Sequence, residues 1–343
     1  MRVLVLGGTG FIGRFVVHQL HPGGHEVAVF HRGRSPAELP PAVRRLLGDR
    51  HRLAGHAAEL REFAPDVAID MIPSSGASAR DLLQVFRGVA RRAVVVSSMD
   101  VYRATAVLHR LDHGPLEPIP LTEASPLRAM SQTYPPAQLR ALQGLFGWLD
   151  DAYDKVAVER EAQGAPELPA TILRLPMVYG PGDPLHRFSP VLKRILDGRR
   201  TIPFEERVAR WRSPRGYVEN VAAAIVLATT NDRAAGRIYN VAEAEAFSEV
   251  EWARLIAEAI GWRGLIFSVP SGRAPAHLAQ PANLDQHWVA DTSRIRAELG
   301  YREPVPRAEA IRRTIEWERA HPSVAWDPAQ FDYEAEDALD PNA

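Results

Sequence analysis

Apolar positions in this chain recur in two alternating rhythms. Short, nearly continuous runs rich in Val, Ile and Leu are followed by stretches where apolar residues return every three or four positions. The first rhythm is that of a strand buried on both faces, the second that of a helix with one apolar side. Arg2–Leu6, His25–Phe30, Val43–Leu47, Asp66–Ile72, Ala93–Ser98 and Ala170–Leu175 read as successive strands. Helical spacing follows Gly13, closes at Leu60–Pro65, and covers Ala79–Ala90, Leu139–Gln163 and Phe188–Leu196. Glu219–Thr229, Glu249–Ile260, Asp291–Leu299 and Arg307–Ala320 continue that pattern, with one more strand over Arg237–Val241. Strands alternating with helices predict an α/β fold: a doubly wound parallel sheet of Rossmann type, with ligands at the strands' carboxyl ends. Ser97 and Ser98 stand at such an end. Residues 103–137 carry many prolines and little periodicity, and read as a long loop over the sheet edge. The tail from Pro322 is acidic and proline-containing, and reads as loosely attached.

Between the first strand and first helix lies Gly7-Gly8-Thr9-Gly10-Phe11-Ile12-Gly13, four glycines in seven residues. Strand, glycine turn and helix are the context in which such a fingerprint binds a dinucleotide. The glycines allow a tight turn and close backbone approach to a pyrophosphate, and the helix start offers free N–H groups to it. The end of the second strand bears on the choice of coenzyme. An acidic residue there would hold the ribose 2′-hydroxyl of NAD. The chain instead has His31-Arg32-Gly33-Arg34, and an arginine fork suits a 2′-phosphate. NADP is therefore expected, with NAD the alternative.

Composition adds limits. The chain has 343 residues, 46% of them apolar and 24% charged, as in ordinary globular proteins. A formal net charge of −1 gives no electrostatic footprint for nucleic acid or membrane. There is no cysteine, so thiolate chemistry is excluded, and a reducing, cytoplasmic setting is expected. No apolar run approaches the roughly 20 residues that span a bilayer. Of 41 basic residues only Lys155 and Lys193 are lysine. A chain that otherwise uses arginine keeps lysine where a compact, titratable ammonium is wanted.

Several motifs together resemble one family. These are Gly7–Gly13; Ser97-Ser98-Met99-Asp100-Val101-Tyr102; Lys155 with Glu159; Arg174-Leu175-Pro176-Met177-Val178-Tyr179-Gly180-Pro181-Gly182; Arg215-Gly216-Tyr217-Val218-Glu219-Asn220-Val221; and Tyr239-Asn240-Val241. Residues 1 to about 315 thus resemble the extended short-chain dehydrogenases/reductases of the NAD-dependent epimerase/dehydratase group. The resemblance implies a nucleotide-binding Rossmann unit over residues 1–180, to which the stretch near 216–242 returns. It also implies a smaller substrate-binding domain over 181–320, ahead of the tail at 321–343. It implies that Gly7, Gly10, Phe11, Ile12 and Gly13 hold the coenzyme phosphates and that Asp49 contacts adenine. Lys155 would hold the nicotinamide ribose, and Pro176 and Met177 would line the nicotinamide. Ser98 would orient the reacting oxygen. Hydride transfer at a C–O or C=N carbon of a small molecule or nucleotide sugar follows, with a homodimer built on helices near 80–90 and 140–163.

One departure is central. The family's acid/base tyrosine stands four residues before its lysine, on the same helix face. Here that position is Asp151, while Tyr153 would point about 200° away on a regular helix. Asp151 as the base, Tyr153 brought round by local distortion, and another group such as Tyr134 or a loop histidine all remain open. Loss of the tyrosine also leaves open a non-catalytic, dinucleotide-bound protein akin to RNA-binding relatives. Tyr134, Arg212 and His113 are candidate substrate contacts. His109 and His113 have a zinc-like spacing without a third ligand, and no metal is expected.

Overall fold

The computed structural model describes residues 1–34, 38–131, 133–323 and 328–339. Its strands are β1 (Arg2–Leu6), β2 (Glu26–His31), β3 (Arg44–Leu47), β4 (Val67–Asp70), β5 (Arg92–Ser98) and β6 (Ala170–Leu175). Five shorter ones follow: β7 (Met177–Tyr179), β8 (Thr201–Glu205), β9 (Arg215–Tyr217), β10 (Ile238–Asn240) and β11 (Leu265–Val269). The main sheet has the order β10-β6-β5-β4-β1-β2-β3, and every neighbour pair is parallel. Its central strands are mostly apolar because helices cover both faces. Val3 to Leu6, Ala68, Ile69 and Ala93 to Val95 have no exposed surface. Each fully buried Val or Leu of this kind contributes roughly 1.5–3 kcal/mol.

The chain leaves β1 for β2 and β3 on one side, then crosses to β4, β5 and β6 on the other. The order reverses between β1 and β4, and a crevice opens beyond their carboxyl ends at such a reversal. Val3 pairs with Val67 and Leu6 with Asp70, so Gly7 and Met71 emerge side by side. On the next strands Ser98 pairs with Leu175, which sets Pro176 and Met177 beside Ser98.

After β6 the chain builds a second layer. β7 pairs with β9, β10 returns to the sheet edge beside β6, and β11 then pairs with β8. Trp211 and Trp288 join Met99, Tyr102 and Leu108 in one apolar cluster where this layer meets the sheet.

Three local readings are corrected. Leu139–Gln163 is two helices, Pro136–Leu145 and Lys155–Gln163, separated by an irregular stretch. Gly144 and Gly147 weaken the helix there, and the Asp154 carboxylate caps the second helix by accepting from the Val156 N–H. The presumed loop 103–137 contains a short helix, Arg103–Leu108. The tail is docked over residues 328–339: its Tyr333–Asp337 helix buries Glu336 against Arg194 at 2.5 Å. Among the described residues no helix is long and apolar enough to cross a membrane.

Candidate active site

The glycine turn forms the floor of a groove. Gly7 has φ +84°, in the left-handed region, and a Cβ on Gly13 would lie 2.3 Å from the Gly7 carbonyl oxygen. The helix start is therefore pressed against the turn with no room for a side chain. Helix Gly13–Leu20 carries no side-chain cap at Ile12. Among the described residues the N–H groups of Phe11 and Ile12 meet no backbone acceptor. An uncapped start of this sort attracts an anion. The groove encloses about 990 Å³. Gly7, Gly10, Phe11, Ile12 and Gly13 line it, with Met71 and Ile72 from beyond β4 and Leu145–Trp148 opposite. The cradle fits the linked phosphates of a dinucleotide, and Thr9 and Arg14 line it beside the glycines.

Arg32 and Arg34 are exposed past the end of β2. Arg32 Nη1 donates to the Gly147 carbonyl at 3.1 Å, tying that strand end to the far wall of the groove. Asp49 is half-buried and caps the turn at Arg50–His56, accepting from the His51 N–H at 3.0 Å.

A second cleft of about 390 Å³ adjoins the first, and Phe146 and Trp148 belong to both. Ser98, His109, Tyr134, Tyr153, Pro176 and Met177 line it, with aromatic walls from Trp148, Trp211 and Trp288. At its base lies a cluster on Asp100, which has no exposed surface. Tyr153 Oη donates to Asp100 Oδ2 at 2.7 Å, and Tyr134 Oη donates to the same oxygen at 3.0 Å. The two rings are stacked with centroids 6.2 Å apart. Ser98 Oγ accepts from the Asp100 N–H at 3.1 Å. Burial, and then the Asp100 charge, push both tyrosines well above the ordinary phenol range. His109 lies edge-on to Tyr134 at 5.3 Å, and burial lowers its pKa.

Lys155 opens the second helix and is 2% exposed. Its Nζ donates to the Pro73 carbonyl at 2.6 Å and the Val96 carbonyl at 2.9 Å, with the Trp148 ring centroid 5.2 Å away. Burial is the largest influence on it and lowers its pKa to about 8. Behind it, Glu159 accepts from Arg174 at 2.7 Å and from Ser97 at 2.6 Å. That buried pair fixes the ends of β5 and β6 on which Ser98 and Pro176 stand.

Several expected contacts are not brought together. Asp151 is exposed and accepts from Gln143 Nε2 at 2.9 Å, because its segment precedes the helix and is free of the i, i+4 geometry. For the same reason Tyr153 does not face away: it is 8% exposed and turned into the Asp100 cluster. Arg212 is exposed, with its N–H on His287, and does not line the cleft; Arg187 does. His113 is exposed outside the cleft, so it shares no site with His109. Sequence reasoning missed Asp100. Its signal was its place between Ser98 and Tyr102, but which phenols would reach it depends on the unpredicted break before Lys155.

The model of the NAD dependent epimerase/dehydratase family matches residues 3–119 and 152–242. The 2'-dehydrokanamycin reductase of Streptomyces kanamyceticus is 29% identical over 301 residues, covering 86% of this chain and 75% of that protein. Among solved structures, the UDP-glucose 4-epimerase of Thermus thermophilus in complex with NAD is 24% identical. It has a TM-score of 0.64 and covers 94% of this chain and all (100%) of that one. The dTDP-glucose 4,6-dehydratase of Bacillus anthracis in complex with NAD is 17% identical, with a TM-score of 0.67. That match covers 94% of this chain and 97% of the other. These two likenesses concern the fold.

Proposed function

Because the chain belongs to the NAD-dependent epimerase/dehydratase family, matched over more than half its length, we propose that it is a reductase in that family. In this reading it reduces a ketone on a polar, sugar-like small molecule, with NADPH as coenzyme. When bound, the nicotinamide would supply the hydride. The residues that would hold it are the Gly7–Gly13 turn at the phosphates and Pro176 with Met177 beside the ring; Lys155, with its Nζ on the Pro73 and Val96 carbonyls, lines neither the groove nor the cleft. Arg32 and Arg34, with no carboxylate at the end of β2, support the 2′-phosphate preference. Pairing of two copies through the Gly76–Phe86 and Lys155–Gln163 helices belongs to the same reading.

One observation carries the reductase assignment. Tyr134 and Tyr153 line the cleft beside Ser98, so phenol hydroxyls stand close to where a substrate oxygen would lie. Hydride addition to a carbonyl carbon leaves a basic alkoxide that needs such a donor. Ser98 would orient that oxygen. The relative that is 29% identical is likewise a reductase by name. The aromatic walls suit the C–H faces of a sugar ring. Trp288 Nε1 and Arg187 Nε, on residues that line the cleft, are buried without a partner among the described residues.

The test is oxidation of NADPH or NADH by the purified protein with a panel of keto sugars, 2'-dehydrokanamycin and nucleotide sugars. Net oxidation with a ketone is expected. Interconversion of nucleotide sugars without net oxidation would overturn the reductase reading and leave the family assignment in place.

A further inference from the structure

Buried carboxylates in this chain are mostly paired with a fixed cation. Asp70, Glu159, Asp183, Glu243 and Glu336 each hold an arginine, and Glu318 a histidine. Glu205 instead accepts two backbone N–H groups as a helix cap. Asp100 has neither arrangement. Its side-chain contacts are two phenols on one oxygen, and its Oδ1 is buried with no partner among the described residues. Stranding a buried carboxylate oxygen costs on the order of 1–3 kcal/mol. Among the described residues Glu318 Oε1 is the one other carboxylate oxygen so stranded, and its carboxylate holds a histidine, whereas Asp100 holds no cation.

We propose that Asp100 stores the proton of the reaction and exchanges it with substrate through the Tyr153 hydroxyl, taking over the task of the tyrosine the chain lacks at position 151. The proposal rests on the reductase reading of the cleft. In reduction the carbonyl carbon gains the hydride and its two electrons, and the C=O double bond becomes a single bond. The oxygen takes the Tyr153 proton, the O–H bond of Tyr153 is remade with the proton of the Asp100 carboxylic acid, and Asp100 is left as carboxylate. That final state, with both phenols donating to Oδ2, is the one seen here. Oxidation runs the same transfers backwards, and tyrosinate is formed in neither direction. This fits phenols that burial and the carboxylate hold protonated.

Asp100 acts through Tyr153 and is a positioning and proton-storing residue. Tyr134 holds the carboxylate in place from the other side. The charged and titratable groups around it are few. Lys155 responds to its charge, and His109 does so more weakly against burial. Arg128 Nε donates to the Asp100 main-chain carbonyl at 2.8 Å, and Asp154 accepts from the same arginine at 3.1 Å.

Two readouts test this on the full-length protein. The first needs no substrate: alkaline titration of tyrosine absorbance in the free protein, with Tyr153→Phe and Tyr134→Phe identifying the two phenols. Asp100→Asn removes the charge and keeps the shape, so these phenols should ionise at least about one pH unit lower, a tenfold change. An unchanged titration overturns the coupling. The second is kinetic. Asp100→Asn should lower turnover about 10²–10⁴-fold, flatten the pH profiles of both directions, and leave NADPH affinity unchanged. Asp100→Glu should recover part of the loss. Combined with Tyr153→Phe, the losses should not multiply, since the two act as one unit. Wild-type pH profiles in Asp100→Asn, or multiplying losses, overturn the relay. Should the wild-type protein turn over no ketone at all, the reductase reading falls, and the absorbance titration still decides the coupling.

Discussion

Lys155 shows how one residue's surroundings become a measurable property of the whole protein. Its ammonium is buried against two carbonyls, and its pKa falls from an ordinary 10.5 to about 8. Between those values the unfolded chain still holds a proton that the folded one has released. Stability attributable to this group therefore rises with pH across that window, on the order of 1–3 kcal/mol. Comparing urea midpoints of wild type and Lys155→Met from about pH 8 to about pH 10 isolates it, because other titrations cancel in the difference. Parallel curves would show that Lys155 is not buried as described. At this scale the sequence was only partly legible. Ser98 and Lys155 were named from the family resemblance and Tyr153 from its place two residues before that lysine, and the structure sets all three around the end of β5. Asp151 was named by the same rule and lies outside, because an angle around a helix means nothing where there is no helix.

Elements were legible where one strong pattern decided them. β1, β5 and β6 are continuous apolar runs between glycines, prolines or serines, and their bounds agree with the pattern to within a residue. β8 and β11 were not seen. Pro203 interrupts the first, and the second is half exposed, so neither has the apolar repeat of a core strand. The break between Leu145 and Lys155 was hidden by apolar residues, Leu145, Phe146, Trp148 and Leu149, that continue a helical rhythm while lining the clefts instead. The acidic tail looked detachable because its anchoring is ionic. Glu336 has essentially no exposed surface and meets both Arg194 and His277. Glu336→Ala would leave Arg194 buried without a counter-charge, a change that costs about 3–5 kcal/mol. Denaturant unfolding should show that loss, whereas Glu334→Ala, on the same short helix and exposed, should shift stability by less than about 0.5 kcal/mol. Equal effects would mean that the tail is not held by this pair.

For the molecule as a whole, the alternation of strands and helices was enough to give a parallel sheet with a crevice at its switch point. The second layer was not predictable in the same way, since its short strands pair across long stretches of chain. In the proposed reading coenzyme choice is a whole-molecule property, because Arg32 is exposed where β2, the groove and the Gly147 segment converge. Arg32→Glu should weaken NADPH binding at least about tenfold, equivalent to about 1.4 kcal/mol, and change NADH binding much less. Direct titration of both nucleotides measures this, and equal losses for the two would remove the 2′-phosphate from the explanation.

The stretch from Phe146 to Trp148 is a partition with a compartment on either side, and Arg32 braces it from the coenzyme's side. Seating the nucleotide would settle that partition before the other reactant meets it. The two reactants should then load in a compulsory sequence, the nucleotide first and leaving last. Initial-rate product inhibition would reveal this as competition between the oxidised and reduced nucleotides alone.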